Sequence, residues 1–87
     1  MKYTIEVTQE DIDKGVPLRC GMCPVARAIN RTLGVESAVG ILGIRTSHGA
    51  NVETPLDARK FIDRYDSDLP VSPFTFDLDI PDEAAKS

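Results

Sequence analysis

The strongest constraint on the fold is a two-residue alternation of apolar and polar side chains at each end of the chain. It runs from residue 2 to residue 8 and, more regularly, from residue 74 to residue 80. Because successive side chains of a strand point to opposite faces, each segment predicts a half-buried β-strand. We expect the two strands to pair, with the row Tyr3, Ile5 and Val7 beside the row Phe74, Phe76 and Leu78, and with Glu6, Asp77 and Asp79 on the wet face.

Two helices are predicted between these strands. Pro24 suits the first position of a helix, and apolar side chains recur one turn apart until Gly34, at Val25, Ile29 and Leu33. The second helix is predicted to begin at Thr54 as N-cap, with Pro55 at its first position. It should end near Asp66, and its apolar stripe consists of Leu56, Phe61, Ile62 and Tyr65.

Three further segments connect these elements. Residues 9–14 should form a short helical turn, capped by Thr8 with Asp11 three positions on. Residues 37–45 are apolar on both alternating faces and contain two glycines, which favours a strand in a sheet interior or at an oligomer interface. The polar residues 46–51 predict a hairpin loop that leads to a short returning strand at Val52.

The length of 87 residues limits the chain to one hydrophobic core. The order strand, helix, strand, strand, helix, strand predicts an α+β domain over residues 1–81, with one small sheet of about four strands and two helices on one face. Residues 82–87 are expected to form a polar tail. There is neither a run of about 18 apolar residues nor a signal-peptide pattern, so we expect a cytoplasmic protein that does not contact membranes.

Cys20 and Cys23 form the most conspicuous motif, Cys-Gly-Met-Cys-Pro. A thiol at a helix N-terminus lies near the positive end of the helix dipole, which favours redox exchange or metal binding. A thioredoxin-type site should directly follow a parallel strand, however, and a zinc site needs a fourth ligand beyond Cys20, Cys23 and His48. A third interpretation is a small buried Cys23 with a loop thiol at Cys20. We expect no metal and no cofactor.

The distribution of charge is the main functional clue. The net charge of −4 argues against a nucleic-acid polymer as partner, yet residues 16–52 carry four arginines and a single carboxylate. Guanidinium groups and the N–H groups at a helix start suit phosphate. We therefore predict a site for a small anionic ligand, formed by Arg19, Arg27, Arg31, Arg45, Ser47 and His48. The alternative is that these arginines lie in solvent or pair with local carboxylates.

Catalytic motifs are missing from the sequence. His48 would need a nucleophile and an orienting carboxylate, and no motif places them. There is no glycine-rich phosphate loop, no paired-carboxylate motif and no histidine cluster. The sequence therefore predicts a binding protein rather than an enzyme.

Three segments resemble a family of short phage and prophage proteins. They are residues 7–15 (VTQEDIDKG), residues 20–29 (CGMCPVARAI) and residues 73–78 (PFTFDL), which occur in the same order and span most of the chain. None of these motifs names a reaction. The resemblance implies a phage origin, and small phage proteins without catalytic motifs often bind a host protein or sequester a nucleotide immune signal.

From the arginines and this resemblance we expect a phage-type counter-defence protein in the cytoplasm of an infected bacterium. It would sequester a small anionic ligand, such as a cyclic nucleotide, as a homo-oligomer. An 87-residue monomer has little room for an enclosed pocket, so the apolar residues 37–45 would help to build the subunit interface. Two alternatives stay open: a protein-interaction module that inhibits a host enzyme, and a redox or zinc module built on Cys20 and Cys23.

Overall fold

Eight helices and strands follow one another in the computed structural model, which describes residues 2–19, 21–47, 49 and 51–80. They are, in chain order, β1 (Lys2–Val7), α1 (Gln9–Lys14), α2 (Pro24–Leu33), β2 (Ser37–Val39), β3 (Gly43–Thr46), β4 (Asn51–Glu53), α3 (Leu56–Asp66) and β5 (Phe74–Asp79). The α+β class predicted from the sequence is confirmed. The predicted tail at residues 82–87 lies outside the described residues.

The predicted pairing of the first and last strands is confirmed. β1 and β5 are antiparallel neighbours, and the opposed pairs are Tyr3 and Leu78, Ile5 and Phe76, and Val7 and Phe74. The apolar row of each strand faces the core, and the polar row, which contains Glu6, Asp77 and Asp79, is exposed. The alternation specifies this register because a slip by one residue would turn every apolar side chain towards water.

The other strands form a second sheet, so the predicted single sheet is wrong. β2, β3 and β4 make a three-stranded antiparallel sheet in that order, separate from the two-stranded sheet of β1 and β5. The predicted strand over residues 37–45 is divided by a tight turn in which the Gly40 N–H donates to the Gly43 carbonyl at 2.9 Å. Because this segment is apolar on both faces, its pattern contained no signal for the turn except the two glycines.

The first two helices begin and end as their capping residues predict. At α1, Thr8 accepts a hydrogen bond from the Asp11 N–H, and the Asp11 carboxylate accepts one from the Thr8 N–H, which completes a capping box. α2 begins at Pro24 and ends at Gly34, whose φ of 68° is a left-handed conformation that glycine adopts without strain.

The predicted N-cap of α3 is wrong. Pro55 occupies the cap position, and no side chain caps the helix. Thr54 is buried instead, and its hydroxyl donates to the Gly40 carbonyl at 2.6 Å. A threonine hydroxyl can bond to any backbone group within reach, and here the carbonyl in the turn between β2 and β3 takes it. Thr54 therefore ties the start of α3 to that turn.

The core lies between the helices and the two sheets. α2 packs against α1, β1 and β2, and its buried residues include Val25, Ala26, Ala28 and Ile29. α3 contributes Ala58, Phe61 and Ile62, and its Tyr65 hydroxyl donates to the Ile12 carbonyl of α1 at 3.2 Å. Among the described residues, no helix is long and apolar enough to cross a membrane.

Candidate functional site

Arg31, which the sequence predicts to bind a ligand, holds a carboxylate of the chain itself. Its Nη1 donates to Asp11 Oδ1 at 2.8 Å, and its Nη2 donates to Asp11 Oδ2 and to the Glu6 carbonyl, both at 2.9 Å. Arg27 approaches the same carboxylate, with its Nε 3.4 Å from Asp11 Oδ1. We call Asp11, Arg27 and Arg31 the Asp11 cluster. It joins α1, α2 and β1.

The Asp11 cluster determines the charge state of its carboxylate. Asp11 is fully buried, and burial on its own raises the pKa of the carboxyl. The hydrogen bonds from Arg31 and Thr8, with the charge of Arg31, outweigh burial and lower the pKa to about 2. The bond to Asp11 in turn raises the pKa of Arg31, as do the negative charges of Glu6 and Glu10. The cluster therefore contains its own anion at neutral pH and attracts a second one weakly.

Arg45 lies on the outer face of the second sheet, away from the Asp11 cluster. In β2, Ser37 is buried and its hydroxyl donates to Asn30 Oδ1 of α2 at 2.6 Å, so this face is directed towards α2. Ala38 is the next residue, is exposed and lies opposite Arg45. Because adjacent residues of a strand face opposite sides, Arg45 is directed away from α2. The structure does not bring Arg45 together with Arg27 and Arg31.

Of the remaining residues of the predicted anion site, the structure describes Ser47 and Arg19. The Ser47 hydroxyl accepts the Glu36 N–H at 3.2 Å, and the Ser47 N–H donates to the Glu36 carbonyl at 2.8 Å, so Ser47 joins the two ends of the β2–β3 hairpin. Arg19 is exposed in the loop between α1 and α2. His48 lies outside the described residues.

Cys23 has a structural position at the start of α2. It is buried, and its Sγ accepts a hydrogen bond from the Ala26 N–H at 3.4 Å. Cys20 lies outside the described residues, and within them no group of three or more His, Cys, Asp or Glu side chains could hold a metal ion. This position agrees with the interpretation of Cys23 as a small buried residue.

The loop between α1 and α2 presents a leucine that is both strained and exposed. Leu18 has a φ of 62°, a left-handed conformation that costs a residue with a side chain about 1–2 kcal/mol. It is nevertheless 78% exposed, so no burial offsets this strain. Its N–H donates to Asp66 Oδ1 on α3 at 3.0 Å, and the Val16 and Met22 N–H groups bond within the loop. Backbone hydrogen bonds, rather than packing, hold this side chain outward.

A depression of about 260 Å³ lies beside Leu18, where the loop meets the turn between β2 and β3. Its apolar lining includes Cys23, Val39, Ile41 and Ile62, and Arg19 and Asp66 line it with opposite charges. Ile41 is 40% exposed, and its chain neighbour Leu42 is 79% exposed. Met22, which precedes Cys23, is 52% exposed. We call Leu18 and Ile41, which both line the depression, the Leu18 surface.

Sequence reasoning missed the Leu18 surface because its two parts lie about twenty residues apart and show no periodicity. A signal was present, since apolar side chains at positions 18 and 22 occupy a loop that also contains proline and glycine. Loops are normally polar because they run along the surface. Two apolar residues in one such loop are therefore the signal from which the exposed Leu18 could have been noticed.

Comparisons of this chain with protein-family models, with curated proteins and with solved structures find no match. The resemblance to short phage proteins therefore stays a prediction. Function has to be argued from the site itself, because fold class alone does not imply activity.

Proposed function

We propose that the protein acts by binding another protein through the Leu18 surface. The observation that supports this most is the left-handed, exposed leucine at position 18. Local strain persists where the rest of the structure holds it in place, and it concentrates at functional positions. Exposed apolar side chains that lie together beside charged groups are typical of protein-interaction sites.

The depression beside Leu18 suits one apolar side chain of the partner. Such a side chain would cover Leu18 and Ile41, and full burial of a leucine or isoleucine contributes about 1.5–3 kcal/mol. A few buried anchors of this kind supply most of the binding free energy of an interface. Arg19 and Asp66 line the same depression with opposite charges, which favours one orientation of the partner.

A host protein is the partner that we favour, with inhibition of a host enzyme as the result. The resemblance to phage proteins supports a host target. The net charge of −4 supports a partner other than a second copy, since two copies repel each other at long range. The acidic charge would also accelerate association with a basic partner.

The test compares two matched leucine variants as bait in a host lysate. Leu18→Ser removes an anchor, whereas Leu56→Ser alters a leucine that is 59% exposed but does not line the depression. We expect the wild type and Leu56→Ser to retain a partner. The amount of partner retained should fall at least about tenfold with Leu18→Ser and with Ile41→Ser. The purified partner should then shift the NMR amide signals of the Leu18 surface. A partner retained equally by all variants would contradict the proposal.

Sequestration of a small anionic ligand by a homo-oligomer is the second candidate. The observation that favours it is a shallow space of about 350 Å³ beside Arg45. Ala38, Gly40 and Gly43 line this space together with the guanidinium and Asn51, so small side chains leave room for a ligand next to a cation. A second copy facing this sheet would enclose the space.

Native mass spectrometry and calorimetry with a panel of cyclic nucleotides test this candidate. It predicts a mass that is a multiple of the chain and a nucleotide affinity that falls about tenfold or more in Arg45→Ala. Lys2→Ala removes an exposed cation from the other sheet and is the matched control. A monomer that binds no nucleotide would exclude this candidate without affecting the Leu18 proposal.

A further inference from the structure

A groove runs between α3 and the chain formed by residues 70–73 and the start of β5. It has a volume of about 450 Å³, within the range of small-molecule sites. α3 contributes Asp57, Lys60, Phe61 and Arg64, and residues 70–75 form the opposite wall. The Leu18 surface does not share these residues, so the groove is a separate feature of the molecule.

The aromatic part of the groove is held in place by ring stacking. The rings of Phe61 and Phe74 lie 4.8 Å apart between centroids, with an angle of 26° between their planes. Phe74 stacks in turn on Phe76 at 5.6 Å, and Phe61 stacks on Tyr65 at 5.9 Å. Phe61 and Phe76 are buried, whereas Phe74 is only half-buried. Phe74 therefore lines the groove with an aromatic side chain that is partly exposed and is held in place by two ring contacts.

The charged part of the groove consists of two cations on one side of α3. Lys60 and Arg64 are one helical turn apart, a spacing at which like charges destabilise a helix by a few tenths of a kcal/mol. Arg64 is fixed because its Nε and Nη2 donate to the Pro70 carbonyl at 3.2 and 3.1 Å. Both Lys60 and Arg64 are exposed, and the opposing charge in the lining is Asp57. The groove thus carries a net positive charge in an acidic protein.

We propose that this groove binds a small ligand in which an aromatic ring carries an anionic group. The ring would stack on Phe74, and a phosphate or carboxylate would accept hydrogen bonds from Lys60 and Arg64. An anion between these two cations offsets their mutual repulsion. Its binding costs little side-chain conformational entropy at Arg64, because Arg64 is already held by its hydrogen bonds. An aromatic ligand without an anionic group would stack on Phe74 but would form no charged hydrogen bonds in the groove.

The experiment uses AMP and adenosine as probes, because they share a ring and differ in the phosphate. NMR titration of the full chain should show that AMP shifts the amide signals of Lys60, Phe61, Arg64 and Phe74 at about millimolar concentration. Adenosine should bind at least about tenfold more weakly. Phenylacetate, a ring with a carboxylate, should shift the same amide signals.

Two variants test the assignment of residues. Lys60→Gln should lower the affinity for AMP about five- to tenfold and reduce its dependence on salt. Lys2→Gln should change neither, because Lys2 pairs with Asp79 at the end of the two-stranded sheet opposite to Phe74. Leu18→Ser should bind AMP like the wild type, which separates this proposal from the one for the Leu18 surface. Equal binding of AMP and adenosine, AMP signals that lie elsewhere, or no AMP binding at all would overturn the proposal.

Discussion

Replacing Asp11 by asparagine should destabilise the fold by about 2 kcal/mol at pH 7. The usual pKa of an aspartate is 3.8 and that of Asp11 is about 2. A difference of one in pKa corresponds to about 1.4 kcal/mol, so the ionised carboxylate contributes roughly 2 kcal/mol to folding. Removing one partner of a buried ion pair often costs more, about 3–5 kcal/mol. The lower figure applies because the remaining arginine side chains, Arg27 at 35% and Arg31 at 50% exposure, can be hydrated.

The contribution of Asp11 should disappear in acid. Because the folded state lowers the pKa of this carboxyl, the unfolded chain takes up a proton first as the pH falls. The stabilisation is therefore complete above about pH 5, decreases through 3.8 and is lost near the folded pKa of about 2. The asparagine variant carries no such charge, so its stability should approach that of the wild type as the pH falls.

Urea unfolding at a series of pH values between 7 and 2 measures both effects. The matched control is Asp13→Asn on the same helix, since Asp13 is exposed and accepts a bond only from Gln9 Nε2 at 2.9 Å among the described contacts. Its effect should stay within about 0.5 kcal/mol. If the free energies of unfolding of Asp11→Asn and the wild type differ by the same amount at every pH, the role assigned to the ionised carboxylate is refuted.

Substitutions at three further positions test other contacts by thermal unfolding. Gly15→Ala should destabilise by about 1–3 kcal/mol, because a Cβ there would lie 2.7 Å from Pro24 Cδ. Thr54→Val should cost about 1–2 kcal/mol, because the Gly40 carbonyl loses its 2.6 Å hydrogen bond. Leu18→Gly should stabilise by up to about 1 kcal/mol and abolish partner binding, whereas Leu18→Ala should leave the strain in place. Unchanged or opposite shifts in Gly15→Ala, Thr54→Val or Leu18→Gly would contradict these assignments.

Local patterns predicted the parts of the fold that depend on neighbouring residues. The alternation at both chain ends specified the pairing of β1 with β5, and Thr8 with Asp11 marked the start of α1. The division of residues 37–45 was missed because an apolar run has no alternation from which a turn can be recognised. Thr54 was assigned wrongly because its hydroxyl bonds to a residue fourteen positions away.

The candidate site was harder to predict because it depends on contacts between distant residues. Arg31 and Asp11 are separated by twenty positions, so the sequence shows an arginine without its partner. The charge balance of residues 16–52 therefore predicts four unpaired arginines. In the structure, two of them, Arg27 and Arg31, form ion pairs with Asp11. The conformation of Leu18 also depends on a distant residue, Asp66. Sequence patterns report periodicity and capping, whereas these sites depend on tertiary placement.

The loop that carries Leu18 is anchored in a way that favours tight binding. Its first residue, Gly15, donates its N–H to the Asp11 carbonyl at 2.9 Å. The side chain of Asp11 is in turn held by its hydrogen bond from Arg31. Within the loop, the Val16 N–H donates to the Met22 carbonyl at 2.9 Å. A loop held by its backbone loses little conformational entropy when a partner binds, so more of the burial free energy appears as affinity. Asp11→Asn should therefore weaken partner binding as well as stability, although Asp11 lies outside the Leu18 surface.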